Sequence, residues 1–429
     1  MGYHAAVMAF RFLHLADLHL DTNFGGRPET RERLRAATRE AFERAVDYAV
    51  EQRLHAVLAA GDLYDEPILS LKTELWLAAQ VERLASEGIW FLACCGNHDP
   101  GAPHRRAAKL GIETASPEAA DWRRRVHLFR RPVPETIRVT DRGGNAVGIV
   151  VGAGHASETE AGNLAAAFPE VDETLPVVGL LHTHVATARA SESHDRYAPS
   201  TASDYERLAY SYWALGHIHI FQRAVGEMPV FYAGNLQGRN PRETGEKGGY
   251  VVEAHPRAAA EPDFVPFAPV RWERLGIDAL PDSNAPAVLV ESLARRIEEV
   301  RGSASEELAV RIELSGTSPL ARALRDEEER RQIAEDLMGR TGALEVQLRA
   351  DGLSQPFDPV ELRASPTVVA KALELIRAAE RDPELLESLA PEDLATAVSA
   401  GEERRTYLAA LLSGLSDELI QRSFAGDGE

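Results

Sequence analysis

The sequence predicts an α/β protein whose strands form a sandwich or a doubly wound sheet. Over roughly the first 250 residues, short apolar segments alternate with segments that repeat apolar residues at helical spacing. A cluster of polar residues also follows one predicted strand after another. Open α/β sheets hold their ligands at the carboxyl ends of their strands, so this second pattern favours the same fold class.

The N-terminal elements follow one another with short connections. In order, they are a strand at residues 10–16, a helix at 29–53, a strand at 55–60, a helix at 71–86 and a strand at 89–95. The remaining strands of this region are predicted at 138–151, interrupted by a Gly-Gly turn at 143–144, and at 176–181, 212–215, 230–232 and 250–253.

Beyond this region the pattern of elements changes. A Pro- and Ala-rich connector at 255–269 precedes a small α+β region of βαβαβ form, with strands at 270–277, 308–315 and 344–350 and helices at 285–300 and 320–338. From residue 358 to about residue 424 the chain is predicted to be helical, with breaks near Pro383 and Pro391. We therefore expect three parts, at residues 9–255, 270–352 and 358–424.

Composition narrows the class of protein. At 429 residues the chain is long enough for two or three domains. No segment approaches the ~18 apolar residues that a membrane span needs, and the N-terminus lacks the pattern of an export signal. The only cysteines, Cys94 and Cys95, are adjacent, which suits neither a structural disulfide nor a thiolate zinc site. We expect a cytoplasmic protein that does not bind a membrane.

The net charge of −20 argues against a protein that holds nucleic acid by its overall field. It does not exclude a phosphate substrate, because bound metal ions can reverse the sign of the charge locally.

Five polar clusters follow predicted strands: Asp17-Leu18-His19, Gly61-Asp62, Gly96-Asn97-His98-Asp99, His182-Thr183-His184 and Gly216-His217-Ile218-His219. Side chains two residues apart in an extended segment point to the same side, so the Asp-x-His and His-x-His pairs can each face one ligand. Three of the clusters begin with a glycine, and the absence of a Cβ there lets the neighbouring side chains converge. One such cluster is typical of a turn, but five in order indicate a common site.

These side chains suit a pair of divalent metal ions. Carboxylate and imidazole ligands favour manganese, iron or zinc, and no thiolate is needed. Two metals about 3.5–4 Å apart need a bridging carboxylate, and Asp62 is the single acid between the other sets. Asn97 offers a neutral oxygen. Its neighbour His98 can face the substrate, where it donates a proton or stabilises developing charge.

The series "DLH", "GD", "GNHD", "H" and "GHIH" resembles the five motifs of calcineurin-like metallophosphoesterases. The flanking segments "FRFLHLADLHLDTNF", "AAGDLYDEP" and "FYAGNLQGRNPRETGEKGGY" are similar to the YhaO branch, which is related to the SbcD nuclease subunit of bacterial DNA-repair complexes. The resemblance is specific over residues 9–255. Over 256–350 it rests on the arrangement of elements more than on particular residues, and in the helical tail it rests only on position in the chain. It implies a four-layer α/β/β/α sandwich, a small α+β capping domain and a C-terminal helical region.

The resemblance also implies a role for each site residue. One metal would be bound by Asp17, His19, Asp62 and His219, and the other by Asp62, Asn97, His182 and His217. His98 would be the catalytic histidine, and the metals would be Mn²⁺, with Mg²⁺, Fe²⁺ and Zn²⁺ as alternatives. Related nucleases often carry a histidine three residues after the bridging aspartate, where this chain has Asp65. That carboxylate either caps the turn before Pro67 or changes the rate or polarity of cleavage.

Other polar residues near the motifs are expected to support the site. His184 is predicted either to orient His182 or to point to solvent, with the first role preferred, and Asp21 is predicted to hydrogen-bond a metal ligand. Arg239 and Arg242 lie in the loop after the last motif. They could bind a phosphate backbone through bidentate hydrogen bonds or form structural salt bridges.

The resulting hypothesis is a dinuclear metal-dependent DNA phosphodiesterase, an exo- or endonuclease that acts in DNA repair or end processing. The resemblance implies a homodimer and an SMC-type coiled-coil ATPase partner of the SbcC or YhaN type, docked through the helical tail. Two alternatives remain open. The same five motifs serve hydrolases of small nucleotides and other phosphoesters, and the chain could instead be mainly a non-catalytic adaptor of the ATPase.

Overall fold

The computed structural model describes residues 9–65, 70–101, 122–171, 174–189, 196–278, 285–355, 368–390 and 402–412, together with residues 415, 416 and 419. The chain divides into two compact units. The first unit extends to Glu273 and also includes Ser303–Ala309, whereas the second contains Arg274–Gly302 and the chain from Val310 onward.

The first unit contains the alternating strands and helices that the sequence predicts. Along the chain they are β1 (Phe10–Leu15), α1 (Pro28–Glu51), β2 (Ala56–Ala60), α2 (Leu71–Ser86), β3 (Trp90–Cys94), β4 (Val126–Phe129), β5 (Glu135–Thr140), β6 (Ala146–Ala153), β7 (Val177–His182), α3 (Ala202–Glu206), β8 (Tyr212–Gly216), β9 (Gln222–Arg223), β10 (Val230–Tyr232), β11 (Gly248–Ala254) and β12 (Pro262–Pro266).

These strands form two six-stranded sheets. One has the order β12-β11-β1-β2-β3-β4, and the other has the order β5-β6-β7-β8-β10-β9. In the first sheet β1 to β4 run parallel, and β11 and β12 are antiparallel additions at one edge. In the second sheet β6, β7, β8 and β10 run parallel. The carboxyl ends of several neighbouring strands therefore lie together in each sheet.

The two sheets face each other and helices cover their outer faces. Successive side chains of a strand point to opposite faces, and β1 divides its residues accordingly. Phe10 and Phe12 pack between the sheets, against residues of β7 and β8. Leu13 and Leu15 pack on the other side, against α1 and α2. Complete burial of each such side chain contributes about 1.5–3 kcal/mol.

On the outer face of the second sheet, Trp213 of β8 packs against Tyr205 of α3 and against Phe168, which follows a 3₁₀ turn at Ala165–Ala167. The layers are therefore helix, sheet, sheet and helix. This confirms the four-layer α/β/β/α sandwich that the resemblance implied.

Two strands of the first sheet were not predicted. The first is β4. The second, β12, lies inside the segment that was expected to be a Pro- and Ala-rich connector, and it pairs antiparallel with β11. Pro262 and Pro266 mask it in the sequence because proline is rare in strands. An edge strand tolerates proline, since only one side of its backbone needs to be paired.

Beyond residue 269 the βαβαβ order is as predicted. The elements are β13 (Val270–Asp278), α4 (Pro286–Arg301), β14 (Glu307–Thr317), α5 (Glu327–Thr341) and β15 (Glu345–Ser354), and the sheet has the order β13-β14-β15. The predicted start of the helix at 320–338 is wrong, because α5 begins at Glu327. A 3₁₀ turn at Ala323–Arg325 ends at Asp326, which caps α5 by accepting hydrogen bonds from the backbone N–H groups of Glu328 and Glu329.

The tail contains α6 (Val368–Arg381), α7 (Pro383–Leu389) and α8 (Glu402–Leu412). Ala379, Leu386 and Leu408 form a small buried cluster. The predicted break at Pro383 is confirmed, whereas the predicted break at Pro391 lies outside the described residues, as does the helix end near 424. None of the described helices is long and apolar enough to cross a membrane.

Candidate metal centre

The predicted ligands meet at the carboxyl ends of strands from both sheets. Asp17 and His19 follow β1, Asp62 follows β2, Asn97 and His98 follow β3, His182 ends β7, and His217 and His219 follow β8. Contacts between these loops fix their arrangement. The backbone N–H of His217 donates to the Asp17 carboxylate at 3.1 Å, and the backbone N–H of His98 donates to Asp62 Oδ1 at 2.9 Å.

Asp17, His19 and His219 form the first group, with ligand atoms that all lie within 4.8 Å of one another. All three residues are buried. The Nε2 atoms of His19 and His219 are 3.2 Å apart.

The other nitrogen of each imidazole decides what this short distance means. His19 Nδ1 lies 2.7 Å from Asp65 Oδ1, and His219 Nδ1 lies 2.9 Å from Glu243 Oε1. A carboxylate only accepts hydrogen bonds, so each Nδ1 carries the proton and each Nε2 presents a lone pair. Arg239 Nη2 also lies 3.0 Å from His219 Nδ1, but it donates to Glu243 Oε1, likewise at 3.0 Å. Two lone pairs facing each other repel unless a cation lies with them. Burial lowers the pKa of His219 to about 3, so its imidazole is neutral at neutral pH and a proton does not supply that positive charge.

Asp17, Asp62 and His182 form the second group, and their ligand atoms also lie within 4.8 Å of one another. His182 Nδ1 donates to the carbonyl of Ala60 at 3.0 Å, so its Nε2 is again a lone pair. That atom faces Asn97 Oδ1 at 3.0 Å and Asp62 Oδ2 at 3.4 Å. Three acceptors with no donor among them suit a metal ion.

Asp62 lies between the two groups. Its Oδ2 atom is 3.4 Å from His182 Nε2 and 3.7 Å from His19 Nε2. Burial would raise the pKa of this carboxyl, but His182, His19 and His98 together lower it below its usual range. By contrast, burial and the neighbouring Asp62 raise the pKa of Asp17 well above its usual range. A divalent cation between the two carboxylates would remove that repulsion.

His217 is the predicted ligand with the weakest geometric support. Its ring contacts the ring of His182, with centroids 5.1 Å apart, and it also contacts those of His184 and Tyr197. The structure therefore brings His217 to the edge of the second group. The prediction that His184 orients His182 is wrong, because the Ala60 carbonyl occupies His182 Nδ1.

The backbone around these ligands is unusual. Asp17, His19, Asp62 and His217 all have positive φ, a conformation that costs energy in residues with a Cβ and that is common at functional sites. Gly96 meets a related demand, since a Cβ at this position would lie 2.1 Å from Asp62 Oδ1. Gly96 therefore has the predicted role, because the absence of a Cβ lets the Asp62 carboxylate lie directly against its backbone.

His98 faces outward from this centre. Its side chain is 43% exposed, and its Nδ1 lies 2.9 Å from Asp65 Oδ1. The hydrogen bond to Asp65 raises the pKa of His98 to about 9, so its imidazole is protonated at neutral pH. The turn before Pro67 that Asp65 was predicted to cap lies outside the described residues. Within them, Asp65 accepts hydrogen bonds from both His19 and His98.

The loop after β10 closes one side of the centre. Glu243 accepts from the Nδ1 of His219, from the backbone N–H and guanidinium of Arg239, and from the side chain of Asn235. Lys247 Nζ donates to the backbone carbonyl of His219 at 2.9 Å. Arg239 thus forms the salt bridge that was one of its two predicted roles, while Arg242 is exposed.

A cleft of about 390 Å³ opens onto these groups. It is lined by His98 and several of the predicted metal ligands, and by the cationic side chains of Arg239, Arg242 and Lys247. Tyr197, Ile220 and Phe221 also line it. The cleft therefore offers positive charge and apolar surface beside the candidate metal groups.

Comparisons with known proteins agree with this geometry. Residues 10–221 match the calcineurin-like phosphoesterase family, and residues 272–350 match the middle domain of metallophosphoesterase YhaO. The chain is 34% identical over 313 residues to the uncharacterized metallophosphoesterase YhaO of Bacillus subtilis, covering 72% of each chain. It belongs to the YhaO-like calcineurin-type metallophosphoesterases.

More distant relatives match shorter segments. This metallophosphoesterase is 40% identical over 89 residues to the DNA double-strand break repair protein Mre11 of Aeropyrum pernix, which is 21% of each chain. It is 38% identical over 89 residues to Mre11 of Haloferax volcanii. A solved dimetal phosphatase from Danio rerio aligns with 61% of this chain and 100% of its own, at 12% identity and a TM-score of 0.36.

Sequence reasoning missed three side chains that support this phosphoesterase centre. Glu243 and Lys247 both lie in the quoted loop segment, but nothing in the sequence indicated a role for either of them. Asp99 accepts hydrogen bonds from the backbone N–H groups of Leu63 and Gly96, which ties the loop after β2 to the loop after β3. The acid in "GNHD" was the available signal for it. Asp21, expected to bond a ligand, instead accepts from Arg39, Ser70 and Thr73.

Proposed function

We propose that this metallophosphoesterase hydrolyses phosphodiester bonds of DNA with the help of two divalent metal ions. The observation that carries the proposal is the 3.2 Å approach of two imidazole lone pairs, on His19 and His219, within a buried group of acceptors. The 89-residue similarity to Mre11, a DNA double-strand break repair protein, supports DNA as the substrate.

The residues present fit two metal ions that share a ligand. Asp17, His19, Asp62 and His219 would hold one ion, and Asp62, Asn97, His182 and His217 the other. Nitrogen and oxygen donors without thiolate suit Mn²⁺, with Mg²⁺, Fe²⁺ and Zn²⁺ as alternatives. When bound, such ions supply Lewis acidity toward the phosphate and activate the attacking water.

The protein's own groups position and protonate the substrate. His98 has its Nδ1 committed to Asp65, so its Nε2 is the ring nitrogen left to face the cleft. Because the imidazole is protonated at neutral pH, it can donate a proton to the leaving oxygen or stabilise charge on the phosphate. Arg242 lines the cleft and is exposed, so its guanidinium can bind a neighbouring phosphate.

Substrate class is tested by comparing DNA with small phosphoesters. The Mn²⁺-loaded protein should cut single-stranded and hairpin DNA and should hydrolyse cyclic mononucleotides poorly. Efficient hydrolysis of cyclic mononucleotides, with no cleavage of any DNA, would instead establish a small-nucleotide phosphodiesterase. Metal binding without hydrolysis of either class would leave an adaptor of the ATPase as the better description.

Two substitutions separate metal binding from chemistry. Asp62→Ala removes the residue between the two groups and should abolish binding of both ions, measured as Mn²⁺ per chain. His98→Ala should retain both ions and lose about 10²–10⁴-fold in cleavage rate. His255→Ala is the matched control, because that histidine is 51% exposed and pairs with Glu253, which is also exposed. Full activity of the His98→Ala protein would disprove the role of His98.

A further inference from the structure

An exposed apolar pair lies directly beside the candidate metal centre. Ile220 is 46% exposed and Phe221 is 43% exposed, and both follow the predicted ligand His219 in sequence. Single exposed apolar residues are ordinary on a protein surface. These two are adjacent and line the same cleft as His98, His217 and His219.

The ring of Phe221 is held in place. It stacks on Phe264 of β12, with centroids 4.5 Å apart and an interplanar angle of 25°. Its backbone is also closely packed: Gly234 has φ +73°, and a Cβ there would lie 2.8 Å from the Phe221 backbone nitrogen. An aromatic ring that is fixed yet partly exposed can bind a planar group with little loss of conformational entropy.

The pair is close enough to the centre to contact a substrate bound there. Phe221 is two residues beyond His219, so their Cα atoms are at most about 7 Å apart. Arg242 and Lys247 line the same cleft. A cleft that combines cationic side chains with a fixed aromatic ring matches a molecule that joins a phosphate to a planar ring.

We propose that Ile220 and Phe221 form a nucleobase subsite, in which an unstacked base lies against the Phe221 ring while its phosphate lies at the metal centre. This inference rests on the proposed phosphodiesterase function and specifies its substrate further. A base can reach the subsite only if it has left its stack. The enzyme should therefore act on single strands and frayed ends in preference to the interior of a duplex.

Two chromogenic esters test the subsite. Thymidine 5′-(p-nitrophenyl phosphate) and methyl p-nitrophenyl phosphate are both phosphodiesters that release p-nitrophenol, and only the first carries a base. The Mn²⁺-loaded full chain should show a lower KM for the thymidine ester. Phe221→Ala should raise that KM about 5- to 140-fold, the change expected from loss of one base–aromatic stack, and should leave the methyl ester unchanged.

Matched variants distinguish recognition from folding. Phe221→Trp retains an aromatic face and should keep the low KM for the thymidine ester. Tyr407→Ala, which removes a 40% exposed aromatic in α8, should change neither substrate. An equal effect of Phe221→Ala on both esters, or no effect on either, would overturn the subsite.

A binding measurement keeps the subsite testable apart from catalysis. If the wild-type protein hydrolyses neither ester, the proposed function fails. Equilibrium binding of thymidine 5′-monophosphate and of methyl phosphate to the Mn²⁺-loaded protein then tests the subsite alone. Weaker binding of the thymidine nucleotide by Phe221→Ala, with methyl phosphate unaffected, supports the subsite. Identical affinities of both proteins for the nucleotide refute it.

Discussion

At the residue scale, hydrogen bonds to Nδ1 decide what each imidazole of the site can do. The Nδ1 atoms of His19, His219 and His182 are held by Asp65, Glu243 and the Ala60 carbonyl respectively, which leaves the Nε2 of each to face the centre. Such outer partners fix the tautomer and orientation of a metal-binding histidine. The acceptors are therefore as much a part of the proposed site as the ligands.

Glu243→Gln should weaken metal binding while leaving the fold intact. An amide oxygen can still accept from His219, but it lacks the charge that makes the imidazole a better ligand and that balances Arg239. Loss of an outer partner typically costs about 10–100-fold in metal affinity, measured here by Mn²⁺ titration calorimetry. Glu246→Gln, an exposed change in the same loop, is the control. Equal Mn²⁺ affinity in both variants would contradict this role.

Asp65→Asn should shift the pH dependence of cleavage. The pKa of His98 is raised, to about 9, so its proton is present at neutral pH and is lost as pH rises through that value. Cleavage that needs protonated His98 therefore falls in the alkaline range. An amide in place of the Asp65 carboxylate stabilises the imidazolium less, so the fall should begin at lower pH.

The pH profile of kcat/KM measures this shift, with Asp263→Asn on the exposed surface of β12 as the control. An alkaline limb at the same pH in the Asp65→Asn protein would show that Asp65 does not stabilise the charged form of His98.

Sequence reasoning located the site residues better than it located their partners. Asp17, His19 and Asp62 follow strands directly, so local pattern predicted where they would lie. The bonds that orient them join His19 to Asp65, 46 residues away, and His219 to Glu243, 24 residues away. Such pairings depend on how loops pack in three dimensions, and no short-range pattern encodes them.

At the scale of elements, the turn after each strand matters as much as the strand. Gly96 follows β3 and approaches the Asp62 carboxylate so closely that any side chain would collide with it. Gly96→Ala should therefore displace Asp62 and lower Mn²⁺ stoichiometry, while circular dichroism stays close to that of the wild type. Gly25→Ala is the control, because a Cβ there meets nothing within 4 Å. Normal Mn²⁺ binding by Gly96→Ala would show that the loop can adjust.

Element prediction succeeded where apolar periodicity was strong. The helix at 71–86 and the strand at 230–232 have the predicted bounds. It failed where tertiary pairing overrides composition, as in β12, whose prolines suggest a connector. It also failed at the start of α5. The helix was predicted to begin at residue 320, among apolar residues, whereas it begins after the N-cap Asp326.

At the scale of the whole molecule, the net charge of −20 opposes the binding of DNA, so the proposed function calls for an additional DNA-binding surface. We propose that an SMC-type ATPase supplies it and docks on the helical tail, where Val368, Leu375 and Leu411 are exposed. A chain that ends at Gln355 retains β15 complete, since that strand extends to Ser354, past the predicted boundary at 352. This truncated chain should bind Mn²⁺ normally and fail to co-purify with the ATPase.

Leu375→Glu in the full chain should weaken the same co-purification without removing any helix, which makes it the matched variant for the truncation. Full-stoichiometry capture of the ATPase by the truncated chain would exclude the tail as the docking element.

The path of the chain through its two compact units limits how this enzyme can be rearranged. The chain passes from one unit to the other after Glu273, after Gly302 and after Ala309. Homologous recombination with a single breakpoint therefore cannot exchange one unit intact for that of a relative. A chimera would have to transplant residues 274–302 and the chain from 310 onward as two pieces while retaining 303–309 from the recipient. Gene fusions at either terminus avoid this constraint, so new partners are more easily acquired at the ends of the chain than by replacement of its second unit.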